Sequence, residues 1–289
     1  MTNKLIFIGS LILAVGLALC WYPLKVVSET QIGSAQLLFF AFAAASLCTL
    51  PWLAYQVKSW RGRSQSLLQV ALSGSLSLTF LHFSLLYGEP LTVFGIFCLV
   101  PAVILFLRRT LGKAALNIGE LAVLMMVIVA SMIILFGIKG GLNYQWNELG
   151  AVVAGAACFL LFMLHGKVTD IPLGSKVAGI FICSTWLVGM AIIFSPRFIN
   201  FPHDNAMSTS ALYGALCLIP VVFSVLYILR DANTPHFLLW ISLLLVISLI
   251  SVALFKGEAL TLPIGLSAGL LALAALLQSK RTLHTLKVG

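Results

Sequence analysis

Apolar runs the length of a bilayer crossing follow one another along almost the whole chain, and positive charge collects at every second gap between them. A helix needs about 20 mostly apolar residues to cross the hydrocarbon core. Of the 289 residues, 61% are hydrophobic and only 9% are charged. A water-soluble core could not enclose that much apolar surface, whereas lipid accepts it. In hydrocarbon the backbone must satisfy its own hydrogen bonds, and these runs lack the two-residue alternation of a barrel strand. The expected fold class is therefore an all-α polytopic membrane protein.

Ten runs meet the length requirement: 4–25, 31–57, 66–88, 91–107, 117–138, 148–167, 175–195, 209–229, 235–256 and 259–278, here called spans 1 to 10. The breaks between spans 3 and 4 and between spans 9 and 10 rest on Gly88-Glu89-Pro90 and Lys256-Gly257-Glu258. Span 1 continues into Trp21-Tyr22-Pro23 rather than a small-residue cleavage site, so it reads as a retained helix and not a signal peptide. With ten spans both termini share one side. Only Lys25, Lys139, Arg197 and Lys256 fall on the other side, which leaves 13 of the 17 basic residues with the termini. Basic loops are held in the cytoplasm, so both ends are expected there, with the chain in the inner (plasma) membrane. The net charge of +9 is thereby explained by topology and requires no nucleic acid. The same charges attract anionic lipid headgroups. All six cysteines lie inside predicted spans, with no CxxC pair, and read as small apolar residues.

The segment Gly137-Ile138-Lys139-Gly140-Gly141-Leu142-Asn143 divides the spans five and five. This gives a first repeat over 1–138, a linker over 139–147 and a second repeat over 148–289. A shift of 145 residues places Lys113 on Glu258, and in the flanking sequence Asn117-Ile118-Gly119 and Pro263-Ile264-Gly265 each introduce a final apolar run. Five is odd, so the second half enters from the opposite side, which makes the halves an inverted repeat. Secondary transporters are commonly built that way, with substrate held between the halves near the bilayer midplane.

At this point the chain resembles the drug/metabolite transporter superfamily, EamA-type, over nearly its whole length. Leu19-Cys20-Trp21-Tyr22-Pro23-Leu24-Lys25 is similar to the family's opening helix, and Val93-Phe94-Gly95-Ile96 through Val100-Pro101-Ala102 to its proline-bearing fourth helix. Leu254-Phe255-Lys256-Gly257-Glu258-Ala259-Leu260-Thr261, followed by Gly265 and Gly269, is similar to the family's leucine-glycine-glutamate signature. Lys113 stands where the family usually has Glu, and Lys256 replaces the usual Leu. The RarD-like branch is the nearest. The resemblance implies transport of a small metabolite, such as an amino acid or a similar zwitterion, commonly by efflux.

Polar groups at membrane depth need a reason. Gly265-Leu266-Ser267-Ala268-Gly269 matches a nucleophile elbow, but that device needs a strand turning into a helix. As a G-x-x-x-G it reads as a close-packing face on span 10, with Gly150 and Ala154 doing the same on span 6. Ser73, Ser75, Ser77 and Thr79 make span 3 the most polar; serines there usually bond their own backbone or a neighbouring helix. His82 reads either as a packing histidine or as a proton carrier. Trp186 lies mid-span, either against lipid and helices or lining a cavity. Pro101 and Pro220 each free a backbone carbonyl in spans 4 and 8. Glu89, Glu120, Glu148 and Glu258 suit helix N-termini, and no span has a carboxylate at its centre.

The expected substrate cavity lies between the halves, lined by spans 1, 3, 4, 6, 8 and 9. Its candidate contacts are Trp21, Tyr22, His82, Tyr87, Tyr213 and Tyr227. No cofactor or metal is expected. A polytopic membrane enzyme and a non-transporting scaffold are the alternatives. The five histidines are scattered one per segment, without H-x-x-H or H-E-x-x-H, which denies the enzyme its usual signals.

Overall fold

The computed structural model describes residues 34–87, 118–137, 146–166, 170–194, 204–231 and 262–285, with Val93, Ile96, Leu99, Val103 and Ile250. Among these residues there is no strand. The helices are α1 (Ser34–Tyr55), α2 (Val57–Trp60), a 3-10 turn (Arg61–Arg63), α3 (Ser64–Tyr87), α4 (Ile118–Gly137), α5 (Trp146–Gly166), α6 (Leu173–Phe194), α7 (Asp204–Leu212), a π segment (Tyr213–Leu218), α8 (Ile219–Asp231) and α9 (Leu262–Thr285). Among the described residues, four helical stretches are long and apolar enough to cross a membrane: Ala35–Tyr55, Val57–Ser84, Leu173–Phe194 and Asn205–Tyr227. Spans 2, 3, 5, 6, 7, 8 and 10 thus coincide with described helices, while span 1 and, apart from Val93, Ile96, Leu99, Val103 and Ile250, spans 4 and 9 lie outside the described residues.

The helices form two compact units, residues 20–88 with 150–231, and residues 1–19, 89–149 and 232–289. Each unit takes helices from both sequence halves, so it is a different division of the chain from the halves 1–138 and 148–289.

In the unit containing α1, α3, α5, α6 and α7–α8, close contacts fix the helix directions. Phe39 meets Gly189 and Trp52 meets Gly174, so α1 and α6 are antiparallel. Ala71 meets Gly179 and Gly74 meets Ile180, so α3 runs parallel to α6. Phe80 meets Gly155 and Gly74 meets Phe162, which makes α5 antiparallel to α3. Ala41 meets Gly214 and Trp52 packs on Phe223, so α1 and the α7–α8 stretch are parallel. These are the directions that alternate crossings of spans 2, 3, 6, 7 and 8 require. Small residues sit at most of these crossings, because in lipid close backbone approach replaces hydrophobic drive.

One end of this unit is pinned by side chains. Gln56, just past α1, accepts hydrogen bonds through Oε1 from the Ser175 amide at 3.1 Å and the Ser175 hydroxyl at 2.8 Å. It therefore caps the first turn of a helix other than its own, at an amide with no intrahelical partner. Arg63 donates to the Asp170 carbonyl at 2.8 Å and pairs loosely with its carboxylate at 3.8 Å. Both side chains are half exposed or more, so the ion pair contributes little. Gln56→Ala is expected to lower stability by about 1 kcal/mol, read as a fall of about 2 °C in thermal midpoint. Gln56→Glu keeps the acceptor and places a negative charge at a helix N-terminus, so it should hold the wild-type midpoint.

Three expectations change. Gly265 and Gly269 are exposed, with nothing within 4 Å of an added Cβ, so the G-x-x-x-G does not form the packed face of α9. That face is carried by Ile264, Ser267, Ala268 and Leu271, and the buried Ser267 hydroxyl donates to the Ala130 carbonyl on α4 at 3.2 Å. Gly150 is likewise open, and the close approach on α5 is made by Gly155. Lys176, counted with the basic residues of the cytoplasmic side at the start of span 7, lies in the first turn of α6 and is fully buried. Ser267 sits within a continuous helix, which excludes the strand-to-helix elbow.

Candidate functional site

The polar interior of the α1–α3–α6–α7 unit centres on His82. The four span 3 residues Ser73, Ser75, Ser77 and Thr79 are all buried, since α3 is packed on more than one side. Ser73 donates to the Gln69 carbonyl at 2.7 Å, Ser75 to Leu72 at 3.0 Å and Ser84 to Phe80 at 2.7 Å. These hydroxyls are satisfied by their own helix.

His82 behaves differently, because its ring reaches another helix. Nδ1 lies 2.8 Å from the Leu78 carbonyl oxygen, and Nε2 lies 3.0 Å from the Tyr213 hydroxyl. A carbonyl can only accept, so the ring proton of the neutral imidazole belongs on Nδ1. Nε2 then accepts, and the Tyr213 hydroxyl donates to it. Phe42 of α1 stands edge-on to the imidazole at 5.6 Å, and the Tyr213 ring lies at 6.1 Å on another side. Phe42, His82 and Tyr213 are all buried. Three helices therefore fix one imidazole in one tautomer.

Tyr213 opens the π segment, the one break in α-helical register within Asn205–Tyr227. Such segments widen a helix by one residue and often mark functional positions. The next residue, Gly214, lies against the backbone of Ala41, where an added Cβ would run into the Ala41 carbonyl. Pro220 follows the segment in the first turn of α8 and is exposed.

Among the described residues, several buried polar groups on these helices have no hydrogen-bond partner. They are both ends of the Gln36 carboxamide and the hydroxyls of Thr79, Ser184 and Ser210. Thr79 is one turn before His82. Ser210 precedes Gly214 by about one turn, as Gln36 precedes Ala41, and α1 and α7 are parallel, so Gln36 and Ser210 share a depth. Buried polar groups are normally paired. The unit thus offers buried donors and acceptors that the described residues leave unused.

Among the sequence candidates, the structure brings His82 and Tyr213 together. Tyr227 lies on α8 about four turns beyond Tyr213, or ~20 Å along the axis, and is at a different depth. Tyr87 ends α3, and its side chain lies outside the described residues, as do Trp21 and Tyr22. Trp186 is 63% exposed, unlike the buried His82 and Tyr213. Phe42, Gln36, Ser210 and the π segment were not read from sequence; the available signal was Gly214 beside Tyr213 in an otherwise apolar run.

No family model matches the chain, and no curated protein matches it. Solved structures do: 28 chains are similar, so the fold recurs. In one, the crystal structure of a protein, the match covers 93% of this chain and 95% of the other, with a TM-score of 0.67 at 16% identity. The class defined so far is an all-helical protein with helices of membrane-crossing length. The similarity extends that to a shared fold and, at such low identity, to nothing more specific.

Proposed function

We propose that this chain is a transporter of the drug/metabolite transporter type. It moves a small zwitterionic metabolite such as an amino acid outward across the inner membrane by alternating access. The proposal includes ten spans in two inverted halves, with both termini cytoplasmic.

The observation that carries it is the pattern of helix partners. Advancing by five spans carries span 2 (α1) to span 7 (α6), span 3 (α3) to span 8 (α7–α8) and span 5 (α4) to span 10 (α9). A two-fold axis in the membrane plane requires a helix and its mate to run in opposite directions, and α1 and α6 do. Exchanging mates turns the α3–α6 contact into the contact of the α7–α8 stretch with α1. Both exist, and both are parallel. The α4–α9 pair maps onto itself and also packs together. An inverted repeat accounts for this reciprocity without further assumption.

The site is consistent with an amphoteric, uncharged or zwitterionic cargo. Among the described residues the only buried charge is Lys176, so orientation falls to neutral donors and acceptors in an apolar setting. His82 and Tyr213 lie on spans 3 and 8, which exchange under the same operation. In this reading Gln36, Ser210, His82 and Tyr213 contribute to substrate recognition.

The test is efflux from liposomes containing purified protein and loaded with radiolabelled neutral amino acids. Efflux at least tenfold above protein-free liposomes for one or more of them is expected. Background rates for the whole set, with the protein folded and correctly inserted, would remove the amino-acid transporter reading.

A further inference from the structure

Between α1 and α3 the chain remains helical, through α2 and the 3-10 turn, and none of the residues from Val57 to Arg63 is buried. A segment that buries nothing gains no order from packing. It is nevertheless held in place. The Gln56 amide donates to the Trp52 carbonyl at 3.1 Å and the Ser59 amide to the Gln56 carbonyl at 3.0 Å. The Ser59 hydroxyl donates to Gln56 at 2.6 Å and the Trp60 indole to Leu53 at 3.1 Å. The Arg63 contact with Asp170 fixes the far end.

This ordering presents three cations, Lys58, Arg61 and Arg63, on a short ledge. Lys58 and Arg61 are three residues apart, which places them on one face of a helical turn, and neither has an acidic partner among the described residues. Arg63 is 50% exposed and only loosely paired. Tyr55, 92% exposed, and Trp60 flank them. Aromatic residues of this kind settle at the level of lipid headgroups. The ledge adjoins the end of α1, where a membrane helix leaves the hydrocarbon. An ammonium and a guanidinium carried on one face of an ordered turn at that depth suit the oxygens of a phosphodiester.

We propose that this ledge is a binding site for the headgroup of an anionic phospholipid, held by Lys58 and Arg61 with Arg63 as a third contact. The site stands or falls independently of what the protein transports.

Purified protein extracted from mixed phosphatidylglycerol and phosphatidylcholine bilayers would be analysed by native mass spectrometry for retained lipid. Wild-type protein is expected to retain phosphatidylglycerol about tenfold over phosphatidylcholine. The double variant Lys58→Gln with Arg61→Gln should fall to near parity. Its thermal midpoint in uncharged detergent should be unchanged, since neither side chain is buried or paired. Lys280→Gln with Arg281→Gln removes the same charge elsewhere on the predicted cytoplasmic side and should keep the preference. Equal loss in both double variants, or loss in neither, would overturn the proposal. Displacement of the retained lipid by millimolar inorganic phosphate would also overturn it, because the ledge would then be a soluble-anion site.

Discussion

Gly214→Ala is expected to destabilise the protein more than any other single methyl addition among the described glycines. The added Cβ would collide with the Ala41 carbonyl, and both partners are backbone, so no side-chain rotation relieves it. The π segment and α1 would have to separate, taking the His82–Tyr213 hydrogen bond with them. The expected cost is about 3 kcal/mol, at the upper end for overpacking, read as loss of a monodisperse peak in detergent or a fall of at least about 6 °C in midpoint. Gly269→Ala supplies the contrast. Nothing lies within 4 Å of the added methyl, and alanine is the better helix former by about 1 kcal/mol, so that variant should be neutral or slightly stabilised. Equal behaviour of the two variants would mean that the α1–π contact is wrongly placed.

Tyr213→Phe and His82→Leu are expected to be strongly non-additive. Removing the hydroxyl strands the buried Nε2, and removing the imidazole takes from the hydroxyl its acceptor on α3. Each single change should cost about 1–3 kcal/mol, whereas the double variant should cost about as much as one single. Initial efflux from liposomes should fall about tenfold in either single variant, since the pair also positions the proposed recognition groups. The thermal midpoints of the four proteins measure the coupling. Simple addition would show that the two side chains are not bonded to each other.

Helix placement was legible because hydrocarbon allows the backbone little choice. Span 2, expected over 31–57, is the helix Ser34–Tyr55, and span 5, expected over 117–138, is Ile118–Gly137. Which face of each helix packs was not legible, and Gly265 and Gly269 illustrate why. In water, apolar residues mark the inward side. In lipid both sides are apolar, so the glycines and the adjacent Ile264, Ser267 and Leu271 carry no contrast that reveals which stripe meets α4. His82 was legible as a polar group within a span, and Tyr213 separately as an aromatic cavity contact. Their pairing across 131 residues depends on a π segment, a shift of backbone register that no single residue specifies.

The internal symmetry is tested most directly by an electron cryomicroscopy map of the protein in lipid nanodiscs. The expected result is ten membrane helices. A half-turn about an axis in the membrane plane should carry α1, α3 and α4 onto α6, α8 and α9, with His82 and Tyr213 in contact near that axis. Superposition of the halves only about an axis along the membrane normal, or no superposition at all, would contradict the inverted repeat and with it the alternating-access reading.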